Sequence, residues 1–259
     1  MVCRDTIFQH PLSVNSFSTV IENLTTLFES CHTVEKQEGI HVKAPRKAAS
    51  PKAAGLQSRR DLVLDAAEAL GLGPDGHLFA LNSYENRVYR VGRADHDPVV
   101  IKFYRAERWS DRQILEEHEF ARELAAAELP VAAPLILDSG TLHHHGGFRL
   151  AVFPLCPGTA PELDQPGARE LLGRTLARIH AVGAQHRFGE RPSFEGAAPA
   201  ARARAVLLSS ALLPAHMHEA CARASQALVQ GIEAAFAAAA PVAMIRLHGD
   251  CHLGNILWR

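Results

Sequence analysis

Across 259 residues, 27 Lys and Arg nearly balance 28 Asp and Glu, and the formal net charge of -1 excludes a nucleic-acid binder that works through bulk charge. The content, 47% hydrophobic and 21% charged, is ordinary globular material, long enough for one large domain or two small ones. Five scattered cysteines (3, 31, 156, 221, 251) suit a reducing compartment better than a disulfide framework. The most apolar run, AAFAAAAPVAMI (234–245), holds Pro241 and is shorter than the ~20 residues a membrane span needs. The head, MVCRDTIFQHPL, has no continuous apolar segment of the secretory kind. A soluble cytoplasmic monomer with no nucleic-acid or membrane partner is expected.

In chain order, NSFSTVIENLTTLFESC (15–31) places Val20, Ile21, Leu24, Leu27 and Phe28 near helical spacing. HVKAPRKAASPKAAGLQSRR (41–60) is basic and without hydrophobic periodicity, which predicts a flexible linker. Asp61 is the expected N-cap of a helix with the stripe Leu62, Leu64, Ala67 and Leu70, ended by GLGPDG (71–76). HLFALNS (77–83), NRVYRVG (86–92) and PVVIKFYR (98–105) alternate in the manner of an antiparallel meander. SDRQILEEHEFARELAAAEL (110–129) predicts a helix capped by Ser110 and stopped by Pro130. PLILDSG (134–140) and GFRLAVFPL (147–155) predict two more strands around a His-rich hairpin turn, making a sheet of five. Beyond it the pattern is mostly helical, with helices over 166–184 and 211–237, Pro214 lying near the start of the second. PVAMIRLHGD (241–250) predicts a short strand running into the last loop.

Two features carry chemistry. Lys102 sits in the strand VVIKFYR, ahead of a helix, and LHGDCHLGNILWR (247–259) sets His248, Asp250 and Asn255 at the H-x-D-x-x-x-x-N spacing of a kinase catalytic loop. Each residue alone has a plainer explanation. A strand lysine usually snorkels; Glu116 and Glu117 would be a solvated helix face; HHH (143–145) an exposed hairpin tip; Ser83 a turn residue; His180 a helix-end residue; Cys251 a loop-packing residue. Their joint order along the chain points to phosphoryl transfer. A different chemistry, zinc held by His248, Asp250 and His252 in a hydrolase, is the competing reading of the same loop.

Residues 60–259 resemble the aminoglycoside phosphotransferase/choline kinase superfamily, whose L-H-G-D-x-H-x-x-N signature is met by LHGDCHLGN. Within it, LNSYENRVYRVG, VVIKFYRAERWSDRQILEEHEFA, LPVAAP and RLHGDCHLGNILWR together resemble the bacterial stress response kinase A family. The resemblance implies a protein-kinase-like, two-lobed α+β fold. A five-stranded antiparallel N-lobe would occupy 60–155 and a partial helical C-lobe 156–259, while residues 1–59 would be a disordered head and linker outside the family. It implies ATP and Mg2+ as cofactors and a protein Ser/Thr hydroxyl as acceptor, with a small-molecule hydroxyl, or nucleotide binding without transfer, as alternatives. Lys102 would contact the α/β-phosphates. Glu117, with Glu116 as its rival, would hold that lysine. Backbone N–H groups around Asn82, Ser83 and Tyr84 would cradle phosphate, and VFPLC (152–156) would pair with adenine. Asp250 would orient the acceptor hydroxyl, Asn255 would coordinate magnesium, and His248 would brace the loop.

Two departures accompany the resemblance. LNSYENR lacks the G-x-G-x-x-G of protein kinases, and Arg259 comes four residues after Asn255. The family's second magnesium-binding Asp, on the next strand, would lie beyond that point, so impaired transfer and exposed apolar surface are expected of a C-terminally truncated chain.

Overall fold

The computed structural model describes residues 6–8, 54–81, 83, 86–138 and 140–258. The helix expected over 15–31 and most of the expected linker lie outside the described residues, as do Asn82 and Tyr84. Strand β1 is Thr6–Phe8. Helix α1 runs Ala54–Ala69, so Asp61 lies inside it rather than capping it. Beyond Pro51, the segment contributes Ala, Leu, Gln and Arg, all good helix formers, and its basic composition says nothing against a helix. The helix stops where Gly71 takes a φ of 68°, left-handed backbone that glycine adopts without strain.

The sheet is built from β2 (Pro74–Leu81), β3 (Arg87–Arg93), β4 (Val99–Phe103), β5 (His143–His145) and β6 (Phe148–Pro154). Its order is β2-β3-β4-β6-β5, and every neighbouring pair is antiparallel. The five-stranded α+β reading therefore holds, but one strand sits elsewhere than expected. Among the described residues of 134–140 no strand forms; an isolated bridge joins Leu137 to Gly140, and Asp138 has a φ of 46°. The three histidines expected in the turn are themselves β5, and the turn is Gly146–Gly147, at φ 55° and 80°. Two successive positive φ angles match the twist of a two-residue hairpin.

Alternation along β4 and β6 gives the sheet two faces. Val99, Ile101, Phe103, Leu150 and Val152 pack with Val63, Ala66 and Ala67 of α1. Ala151 and Phe153 pack on the other side with Tyr104 and Ile114, Val100 joining them. Ile114 belongs to α2 (Asp111–Ala126), whose start is fixed by a reciprocal capping box between Ser110 and Gln113. Helix α3 (Ala168–Gly183) is tied to the end of α2, where Arg178 donates to the carbonyls of Ala127 and Glu128, each at 3.2 Å.

The chain divides into two compact units. One runs to Gly183 and resumes at Leu247; the other is Ala184–Arg246. In the first, β7 (Ile256–Trp258) pairs antiparallel with β1. The second holds α4 (Ala198–Ser209) and α5 (His218–Ala239), which meet through Ala200 and Val229. Helix α5 starts later than expected, because Pro214 leads a short 3-10 turn, Ala215–Met217. No strand forms over 241–250; Val242 and Leu247 remain exposed and no strand lies alongside to pair with them among the described residues. Among those residues, no helix is long and apolar enough to cross a membrane.

Candidate functional site

The first half of the site follows from one strand and one helix. Lys102 lies on β4, between Val88 of β3 and Ala151 of β6, and the strand's two-residue period turns it toward α2. The buried stripe of α2 is Ile114, Glu117, His118, Phe120, Ala121 and Leu124. Its i, i+3, i+4 spacing is that of a core-facing helix, yet one apolar place is taken by a carboxylate. Glu117 Oε1 stands 3.3 Å from Lys102 Nζ, with side-chain exposures of 2% and 3%. Of the two acidic candidates, the structure pairs Glu117 with the lysine; Glu116 is only partly buried.

Around this pair lies a set of polar groups that the sequence pattern did not single out. The Lys102 ammonium sits 4.6 Å from the centre of the Tyr104 ring. Tyr104 Oη is 2.6 Å from His118 Nε2, and His118 Nδ1 is 2.9 Å from Thr141 Oγ1. All are buried. The available signals were slight: Tyr104 stands two residues beyond Lys102, and a histidine occupies the apolar stripe of α2.

The second half is local to one loop. Gly249, at a φ of 78°, turns the chain between His248 and Asp250, and the Asp250 N–H donates to His248 Nδ1 at 3.3 Å. A 3-10 turn, Leu253–Asn255, brings Asn255 back over the aspartate. Asn255 Nδ2 donates to the Asp250 carbonyl at 2.8 Å and to Asp250 Oδ2 at 2.9 Å. His248 and Asn255 are buried. His252 lies 3.7 Å from Asp250 Oδ1 but is mostly exposed. Although the Cys251 side chain is solvent-exposed, partial desolvation and then the charge of Asp250 push its thiol above its ordinary value, which disfavours the nucleophilic thiolate. The competing zinc reading finds no support here: among the described residues, no three His, Cys, Asp or Glu side chains are placed to share a metal ion.

The expected phosphate loop is described only in part. Ser83 Oγ accepts from the Asn86 N–H at 3.3 Å, and Asn86 Oδ1 accepts from the Arg105 N–H at 3.4 Å, which ties the β2–β3 connection to the segment after β4.

Residues 78–259 match the model of the phosphotransferase enzyme family. The chain belongs to that family. The match takes in both halves of the site and leaves out α1. Over 199 residues the chain is 42% identical to the stress response kinase A of Salmonella choleraesuis, covering 77% of this chain and 60% of that one. The serine/threonine protein kinase RdoA of Salmonella typhimurium is also 42% identical, and the stress response kinase A of Escherichia coli 41%, with the same coverage. The chain thus spans about 60% of the length of these curated relatives. Among solved structures it resembles an amicoumacin kinase in complex with AMP-PNP, Ca2+ and Ami, with a TM-score of 0.57 at 16% identity, over 80% of this chain and 68% of that one. At that identity the likeness speaks for the kinase-like fold alone.

Proposed function

We propose that this phosphotransferase chain carries the nucleotide-binding and catalytic-loop part of an ATP-dependent protein serine/threonine kinase of the stress response kinase A type. The observation that carries the reading is the buried ion pair. Two opposite charges held at 3% and 2% exposure are costly to desolvate, and an apolar pair would stabilise the fold at least as well. Such a pair is explained by a need for an ammonium at a fixed place.

The donor set fits magnesium–ATP. Lys102 supplies a positioned cation for phosphate oxygens, while the Asn255 side-chain carbonyl supplies a hard oxygen of the kind that Mg2+ prefers. Bound magnesium–ATP would supply the activated γ-phosphoryl group. Lys102, restrained by Glu117, would neutralise charge on the α/β-phosphates. Asp250 would receive or orient the proton of the acceptor hydroxyl, its Oδ2 already held by the Asn255 amide. Because that amide spends its nitrogen on Asp250, its oxygen is the atom left for a metal. Ser83 and its neighbours would contribute backbone N–H groups to phosphate.

A protein Ser/Thr acceptor is supported by the name of one relative 42% identical to this chain, the serine/threonine protein kinase RdoA. A small-molecule hydroxyl is the second reading, suggested by the amicoumacin kinase that shares the fold. The test is titration of the chain and its Lys102→Met variant with magnesium–ATP, then mass spectrometry of casein and of an amino-alcohol and aminoglycoside panel. A loss of at least about tenfold in ATP affinity is expected for the variant. Unchanged affinity would sink the role given to Lys102, and label appearing only on small molecules would move the acceptor to the second reading.

A further inference from the structure

The ion pair has a second support, built from the same two elements. Lys102 of β4 and Tyr104, one residue past the strand's end, stand two residues apart, and the Tyr104 N–H still donates to the Arg149 carbonyl at 2.9 Å, so their side chains leave the same face. The Tyr104 ring lies within cation–π reach of the ammonium, at 4.6 Å. That attraction depends on the ring presenting its face, and the ring is anchored at its tip by the 2.6 Å contact with His118 Nε2. His118 is itself fixed from two sides, by Thr141 Oγ1 at 2.9 Å and by the Phe153 ring, edge-on at 6.2 Å. A neutral imidazole serves both hydrogen bonds in either tautomer, since one ring nitrogen donates and the other accepts. Glu117 and His118 are consecutive on α2. Two adjacent helix residues thus grip Lys102 of β4 and Tyr104 just past it, and rolling α2 away from β4 would break both grips together.

We infer that Tyr104 and His118 form a second clamp between α2 and β4 that holds the Lys102 ammonium in place for phosphate, which makes Tyr104 a positioning residue of the nucleotide site. The inference rests on the reading of Lys102 as the phosphate-binding cation. Tyr104→Phe keeps the ring and loses the anchor; Tyr104→Leu loses both. Either change lets the ammonium wander within its site without removing it.

The experiment titrates the full 259-residue chain with a fluorescent magnesium–ATP analogue, for both Tyr104 variants in the original and the Lys102→Met backgrounds, with urea unfolding of the same proteins. Expected losses of affinity are ~3-fold for Tyr104→Phe and ~10-fold or more for Tyr104→Leu, with no further loss from either once Lys102 is Met. Equal fold-losses in both backgrounds overturn the clamp, because a merely structural defect would persist without the lysine. A Lys102→Met variant that binds as well as its parent counts against the nucleotide reading instead. Where binding is lost in the Lys102→Met background or absent from the parent, the unfolding cycle decides the clamp. Coupling of ~5-fold or more in the unfolding constant between positions 102 and 104 supports it, and simple additivity overturns it. Tyr104→Phe carries the same comparison if Tyr104→Leu does not fold.

Discussion

Glu117→Gln puts the sharpest strain on the buried pair. The change preserves the shape of the side chain and removes the negative charge 3.3 Å from the Lys102 ammonium. With exposures of 3% and 2%, the lysine left behind cannot be rehydrated unless α2 lifts from the sheet. Removing one partner of such a pair costs about 3–5 kcal/mol. A domain holds about 5–15 kcal/mol in all, so the loss takes a large share of it. At a urea dependence of about 2 kcal/mol per molar, the unfolding midpoint falls by about 1.5–2.5 M. Lys102→Met combined with Glu117→Leu removes both charges and should recover most of that loss, since packed apolar groups replace buried ion pairs at little cost. The double variant nevertheless lacks the ammonium and should not bind ATP. Urea melts followed by circular dichroism, paired with ATP titrations, read the two effects separately. A midpoint shift below about 0.5 M for Glu117→Gln would refute the desolvated pair. A stable double variant that still binds ATP would refute the role of the charge.

Asn255→Ala removes the amide that holds Asp250, and should cost about 1–2 kcal/mol in stability and, if the proposed role is right, nearly all transfer activity; activity with magnesium close to the parent's would count against it. Gly249→Ala places a Cβ at a φ of 78°, which should cost about 1–2 kcal/mol and lower the thermal midpoint; an unchanged midpoint would mean that the turn relaxes freely. The exposed Cys251 thiol, raised by partial desolvation and by Asp250, should be alkylated slowly by iodoacetamide at neutral pH for lack of thiolate rather than of access, its rate rising only at pH values above the ordinary cysteine range. Asp250→Asn removes the second cause and should shift that rise to lower pH; the same pH profile in both proteins would show that the carboxylate does not act on the thiol.

How much was legible in advance differs by residue. Lys102 and Glu117 could be found because period 2 and period 3.6 each assign a side chain to one face, and the faces of β4 and α2 that meet are apolar apart from a few residues. The loop residues were legible because their contacts are local, lying within eight residues of sequence. Tyr104, His118 and Thr141 were not, since their contacts depend on tertiary approach, and a buried tyrosine or histidine reads as ordinary core. The fifth strand is hard to place because histidines carry no strong β signal and the apolar PLIL upstream does, although the Gly146–Gly147 pair marks the hairpin. Helix α4 escaped because APAARARAVLLS buries little beyond Ala200, so no apolar stripe marks it.

The two halves of the site are built on different physical footings. Asp250 and Asn255 are locked by side-chain and main-chain hydrogen bonds inside one short loop, so their relative geometry survives small movements elsewhere. Lys102 depends on the distance between β4 and α2, which tertiary contacts such as Lys102–Glu117 and Tyr104–His118 set. Electrostatic stabilisation is most effective where groups are held before the charge develops, and here only the loop is held by its own sequence neighbourhood. Perturbations of α2 packing, such as His118→Ala, should therefore weaken nucleotide binding while leaving the Asp250–Asn255 contact intact. Side-chain amide resonances of Asn255, recorded with and without that change, read the contact directly. Shifted Asn255 resonances alongside unchanged ATP affinity would reverse the assignment of which half is pre-set and which is adjustable.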